Sequence, residues 1–211
     1  MKTIIIGSLV VAAVTFAACN NSSTNSHEGH NHDTAATAGE AMKQETTPTD
    51  NSVAAVKPQF TNLDAKVAAS LKPVFDHYLH VKNGLAADNS AEAASGSKAM
   101  SDALGKVDKA AMTPEQQKVY SENEDDLKEH AEHIGKNEGN IEHQREHFAQ
   151  MSEDIYALAK AFGGGQALYH DYCPMYNDNK GALWLSEIKD VKNPYLGGKM
   201  PTCGSVKEVI Q

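Results

Sequence analysis

The sequence predicts a mainly α-helical fold: an up-down four-helix bundle with a small irregular/β lobe at its C-terminal end. Three observations carry this. Apolar residues recur at helical spacing from about residue 62 to residue 162. Gly, Asn and Pro punctuate that stretch, and the short connections they imply join antiparallel neighbours. After Gly163-Gly164-Gly165 the character changes, because the remaining segment holds the only Trp and two of the three cysteines.

Each element has its own signal. Val67, Leu71, Val74, Phe75, Tyr78, Val81 and Leu85 form the stripe of the first helix, with Pro73 marking a restart or kink. Asn89-Ser90 read as the cap of the second. Its stripe of Ala93, Ser97, Met100, Leu104, Val107 and Ala111 is small enough for close approach to its neighbours. Thr113-Pro114-Glu115-Gln116 opens the third, with Thr as N-cap, Pro at the first position and Gln at the third. Val119, Tyr120, Leu127, Ala131 and Ile134 are its stripe. A break over Gly135 to Gly139 precedes the fourth stripe, Ile141, Phe148, Met151, Ile155, Leu158, Ala159 and Phe162, which the glycine run stops. In the last segment Tyr169 to Cys173 alternates like a short strand, with Ser205 to Ile210 as its partner.

The N-terminal residues belong to a different regime. Met1-Lys2-Thr3 is a short charged start, and Ile4 to Ala18 is an apolar run too short to span a bilayer, which needs about 20 residues. It reads as a secretory signal over residues 1–18. Phe16-Ala17-Ala18-Cys19 resembles a bacterial lipobox, which implies cleavage before Cys19 and lipid on that residue. Several acyl chains hold a protein firmly at a membrane where one alone is marginal. Residues 19–58 are rich in Asn, Ser, Thr, Ala and His, too polar to offset their ordering entropy, and read as a disordered tether. Residues 59–211 are then the folded domain.

Charge narrows the function. Lys and Arg total 19 against 28 Asp and Glu, the formal net charge is −9, and Arg145 is the lone arginine. A nucleic-acid reader needs clustered positive charge to neutralise phosphates, so that class is set aside. No nucleophile elbow, P-loop, dinucleotide fingerprint or C-x-x-C motif is present, and no enzymatic role is expected.

What remains is metal-ligand chemistry. Cys173-Pro174-Met175 and Met200-Pro201-Thr202-Cys203 each pair a thiol with a thioether, the donors that suit monovalent copper. The same cysteines could equally form a disulfide, which for a loop of this length contributes ~3 kcal/mol in the chain-entropy view. The chain has ten histidines. His130 lies within the apolar stripe of the third helix and His133 on its edge. His147 borders the stripe of the fourth, with His143 one turn before it. Two antiparallel helices joined at Gly135 to Gly139 bring those turns together, and imidazoles at i and i+3 or i+4 offer two nitrogens to one ion. His170 is a further imidazole in the lobe, and His27, His30 and His32 in the tether can wrap a divalent ion loosely. His143-Gln144-Arg145-Glu146-His147 also matches H-x-x-E-H, in which the Glu would serve a zinc hydrolase as general base. That reading also needs a further carboxylate ligand and a substrate cleft.

The run Tyr172-Cys173-Pro174-Met175, Asn177 to Ala182, Trp184-Leu185-Ser186, Asn193-Pro194-Tyr195, Gly197, Met200 and Cys203-Gly204 resembles a family of Gram-negative envelope proteins built on a domain of unknown function. His130 to Ile134 and Ile141 to Phe148 resemble it too. The family occurs as stand-alone lipoproteins and at the C-terminal end of periplasmic adaptor subunits of copper/silver RND efflux pumps. This chain lacks the hairpin and barrel regions of an adaptor. The resemblance implies copper or related heavy-metal handling and favours the metal reading of the sulfur residues. The expectation is therefore a lipoprotein of the cell envelope, anchored to the outer membrane and facing the periplasm. It would bind copper (or another soft metal, or zinc) through Cys173, Met175, Met200 and Cys203 with His130 and His133, in support of metal homeostasis, resistance or a heavy-metal efflux system. The alternatives are a structural lipoprotein with a Cys173–Cys203 disulfide and, more weakly, the zinc hydrolase.

Overall fold

A computed structural model of the protein describes residues 53–211. The expectations for Cys19, His27, His30 and His32, and for the signal segment, lie outside the described residues. Four long helices follow one another: α1 (Ala65–Ala86), α2 (Ser90–Leu104), α3 (Pro114–Lys136) and α4 (Ile141–Phe162). Four strands, β1 (Ala54–Val56), β2 (Leu168–Cys173), β3 (Ala182–Ser186) and β4 (Ser205–Ile210), make one mixed sheet. The protein is thus mainly helical with a small sheet, as the periodicity implied. Among the described residues no helix is long and apolar enough to cross a membrane.

The helix starts follow their caps. Asp64, Asn89, Thr113 and Asn140 each accept a first-turn backbone N–H, and Thr113 with Gln116 forms a reciprocal capping box. α1 continues unbroken through Pro73, so the expected restart is absent. Gly163, at φ 75°, ends α4. The helices pack in chain order, and the small residues of α2 set the spacing. A Cβ on Gly84 of α1 would lie 2.6 Å from the Ala93 nitrogen, and one on Gly96 of α2 2.9 Å from the His80 ring. Val67, Leu71, Phe75, Met100, Leu127, Phe148, Met151 and Ile155 fill the resulting core.

The sheet is larger than the two expected strands. β2 pairs antiparallel with β4, as alternation suggested, but β3 adds on its other side and β1 joins β4 in parallel. Ala54 to Val56, within the stretch 19–58 read as tether, form β1. They satisfy the open edge of β4, a pairing that polar composition cannot announce. The outer edge of β3 lies against the helices, where hydroxyls replace a neighbouring strand. The Leu185 N–H donates to the Tyr78 hydroxyl at 3.0 Å, and the Tyr195 hydroxyl donates to the Leu183 carbonyl. Buried backbone groups must find such partners.

Candidate metal centre

The turn between α3 and α4 is held by polar contacts before any histidine is considered. Gln144, fully buried on α4, donates to the Ile134 carbonyl of α3 at 3.0 Å and to the Ser90 carbonyl at 3.1 Å. Its carbonyl accepts from the Ser90 hydroxyl at 2.8 Å, and that hydroxyl in turn accepts from the Gly139 N–H at 2.7 Å. Asn137 closes the end of α3 by bonding the His133 carbonyl. Arg145 fixes the other flank of α4. It donates to the Pro194 carbonyl at 2.8 Å and the Leu85 carbonyl at 3.0 Å, and it pairs with Asp88 at 2.5 Å.

On this frame His133, His143 and His147 each offer a nitrogen, and the three nitrogens lie within 4.8 Å of one another. Tetrahedral ligation at 2.0–2.1 Å from an ion places ligand nitrogens about 3.4 Å apart, a spacing that rings within 4.8 Å of one another reach by closing by at most about 1.4 Å. His130 stands beside them, its Nδ1 3.2 Å from Nδ1 of His147. His133 and His147 stack, with centroids 4.2 Å apart. Glu146 bonds Nδ1 of His143 at 3.2 Å, the carboxylate–imidazole contact that orients a ligand histidine. Burial first, then the neighbouring imidazoles His133, His143 and His130, lowers the basicity of His147. Burial likewise lowers that of His130, with Glu129 and Asp126 opposing. Low proton affinity keeps the nitrogens available near neutral pH, and coordination requires the neutral ring.

The expected ligand sets regroup. His143 and His147, placed second to His130 and His133 by the sequence, join His133 in the cluster, while His130 flanks it through His147. His170 lies elsewhere. Its ring packs at a tilt on Tyr156, centroids 4.4 Å apart, and Tyr156 is nine residues, or roughly 13 Å, further along α4 than His147. Of the hydrolase match, Glu146 engages His143 and Arg145 is buried against backbone carbonyls.

The sulfur residues converge on the lobe. Cys173 ends β2 and is buried, Cys203 is half-buried, and their sulfurs are 2.8 Å apart. Two thiolates bracketing an ion at 2.3 Å stand about 3.8 Å apart, so the pair as placed leaves no room for one between them. The contact with Cys173, with burial second, raises the thiol of Cys203. Met175 and Met200 sit beside them, exposed. This loop meets the histidine end of α4, since Lys199 approaches Glu142 at 3.9 Å. The polar frame of Gln144, Ser90 and Arg145 gave no periodic signal. Arg145 stood out as the lone arginine and as part of the H-x-x-E-H match, neither of which marks it as a clamp on distant backbone.

Residues 74–167 match a family model described as Protein of unknown function (DUF3347). The match contains all four clustered histidines and ends before Cys173, Met175, Met200 and Cys203. No curated protein and no solved structure matches the chain.

Proposed function

We propose that the protein is a metal-binding protein whose centre is the imidazole cluster of His133, His143 and His147, oriented by His130 and Glu146. The observation that carries this is the convergence of three histidine nitrogens within 4.8 Å on a turn pinned by Gln144 and Ser90. All-nitrogen donors suit Cu2+, Zn2+ or Ni2+, and the Irving–Williams order ranks Cu2+ first among them. In this reading the four long helices are an up-down bundle with the cluster at one end. The lipobox-like Cys19 anchors the protein in the cell envelope, and the His-bearing tether gathers ions for a binding role in copper homeostasis, resistance or efflux.

The second reading, a structural lipoprotein with joined cysteines, is favoured by the 2.8 Å approach of Cys173 and Cys203. The two readings are compatible in one molecule, because the histidines and the cysteines are separate groups.

The test is metal titration of the full chain carrying Cys19→Ser, beside a tether variant (H27A/H30A/H32A) and a cluster variant (H133A/H147A). One tightly bound Cu2+ that survives the tether changes and disappears with the cluster changes is the expected result. Binding that disappears with the tether changes alone overturns the assignment.

A further inference from the structure

Five methionines fall among the described residues, and they divide sharply. Met100, Met112 and Met151 are core side chains, 0%, 6% and 0% exposed, whereas Met175 and Met200 are 49% and 40% exposed. Among the described residues these two are the large apolar side chains left in solvent. Thioethers used as packing are buried, so packing does not account for this pair.

Both methionines are tied to the same cysteine pair. Met175 follows Cys173 by two residues, and the Cys173 sulfur lies 2.8 Å from that of Cys203, while the Cys203 N–H donates to the Met200 carbonyl at 3.1 Å. Asn193, buried, clamps the second loop by donating its side-chain amide to the Cys203 carbonyl at 2.6 Å and its own N–H to the Pro201 carbonyl at 2.9 Å. The two thioethers are therefore carried on loops that meet at one cysteine pair, with both side chains exposed to solvent.

We infer that Met175 and Met200 form a cuprous-ion site, separate from the histidine centre, and that Cys173 and Cys203 are joined beneath it rather than serving as ligands. Soft thioethers select Cu(I) over harder divalent ions. The cysteine sulfurs, 2.8 Å apart, stand too close to bracket an ion but close enough to join, which a compartment that permits disulfides favours. Two neutral donors leave the ion open to a third, exchangeable ligand. A thioether also has no proton to lose, so binding at this site is insensitive to pH where imidazole and thiolate sites are not.

The test is a Cu(I) competition with a chromogenic chelator under ascorbate, without oxygen, at pH 7.5 and pH 5.5. It uses the full chain carrying Cys19→Ser with the tether histidines replaced. The affinity is expected to change by less than about threefold between the two pH values, because the donors do not titrate. M175L/M200L, at exposed positions, is expected to fold and to bind at least about tenfold more weakly. C173S/C203S is expected to keep the wild-type affinity. Alkylation after unfolding, with copper chelated away, reads the cysteines directly and decides the point even if C173S/C203S does not fold. No reaction at Cys173 and Cys203 supports the joined pair. Unchanged affinity in M175L/M200L, loss of affinity in a folded C173S/C203S, tenfold weakening at pH 5.5, or two reactive thiols overturns the assignment. Cupric binding lost in H133A/H147A is read in a separate titration, so the two sites succeed or fail independently.

Discussion

The imidazoles of His133 and His147 stack across the α3–α4 turn, with ring centroids 4.2 Å apart and planes 17° from parallel. Stacked neutral rings tolerate this approach, whereas two protonated rings would repel. On the proposed reading a metal ion is the partner of this pair, with His143 as the third nitrogen donor.

The roles of the flanking and central histidines should separate by mutation. His147→Ala removes a ligand and is expected to abolish tight Cu2+ binding. His130→Ala removes the Nδ1 contact that orients His147 and is expected to weaken binding by about 10–100-fold without abolishing it. Isothermal titration on both variants checks this, and equal loss in both would make His130 a fourth ligand.

Acid should act on the cluster in a defined direction. Burial lowers the basicity of His130 and His147, so the unfolded chain binds more protons than the folded one as pH drops. Their stability contribution is complete above the ordinary histidine value of about 6.5 and is lost as pH falls through their depressed values. Glu129, Asp126 and Glu146 oppose the shift and limit it. NMR titration should place the His147 midpoint below the free-histidine value of about 6.5. Metal release should follow in the same range.

Asp171 works in the opposite direction. It is fully buried in β2, neither carboxyl oxygen has a partner, and burial pushes its pKa up to about 7 against the opposing charge of Lys82. The neutral acid favours the folded state at low pH, and that advantage is lost as pH rises through about 7. Asp171→Asn should therefore raise stability at pH 8.5 by on the order of a few kcal/mol and change it little at pH 5. Denaturant melts at the two pH values check this.

Gly84 tests the helix spacing. An added Cβ would meet the Ala93 backbone nitrogen at 2.6 Å, an atom that cannot rotate away. Gly84→Ala should destabilise by about 1–3 kcal/mol despite the better helix propensity of alanine. A chemical-denaturation midpoint that rises instead would mean that α1 and α2 can part at no cost.

The helical part of the fold was legible because its signals are local. The stripes of α1 to α4, the Asn89 and Thr113 caps and the Gly163 stop all lie within a few residues of what they control. β1 was not, because Ala54 to Val56 are a strand only where β4 offers an edge. The same divide runs through the site. The four histidines could be paired from their spacing around one turn, but their ring positions depend on contacts that Gln144 and Arg145 make with Ser90 and Leu85, distant in the chain. The cysteine pair was visible as a pair, while the 2.8 Å that separates its sulfurs is a property of loops and cannot be read from spacing.

The decisive measurement is the nitrogen hyperfine pattern in the electron paramagnetic resonance spectrum of one equivalent of Cu2+ bound to the full chain with its tether histidines replaced. Coupling to three imidazole nitrogens, lost in H133A/H147A while the helical signal in circular dichroism is retained, is the predicted result. A spectrum unchanged by H133A/H147A would contradict it.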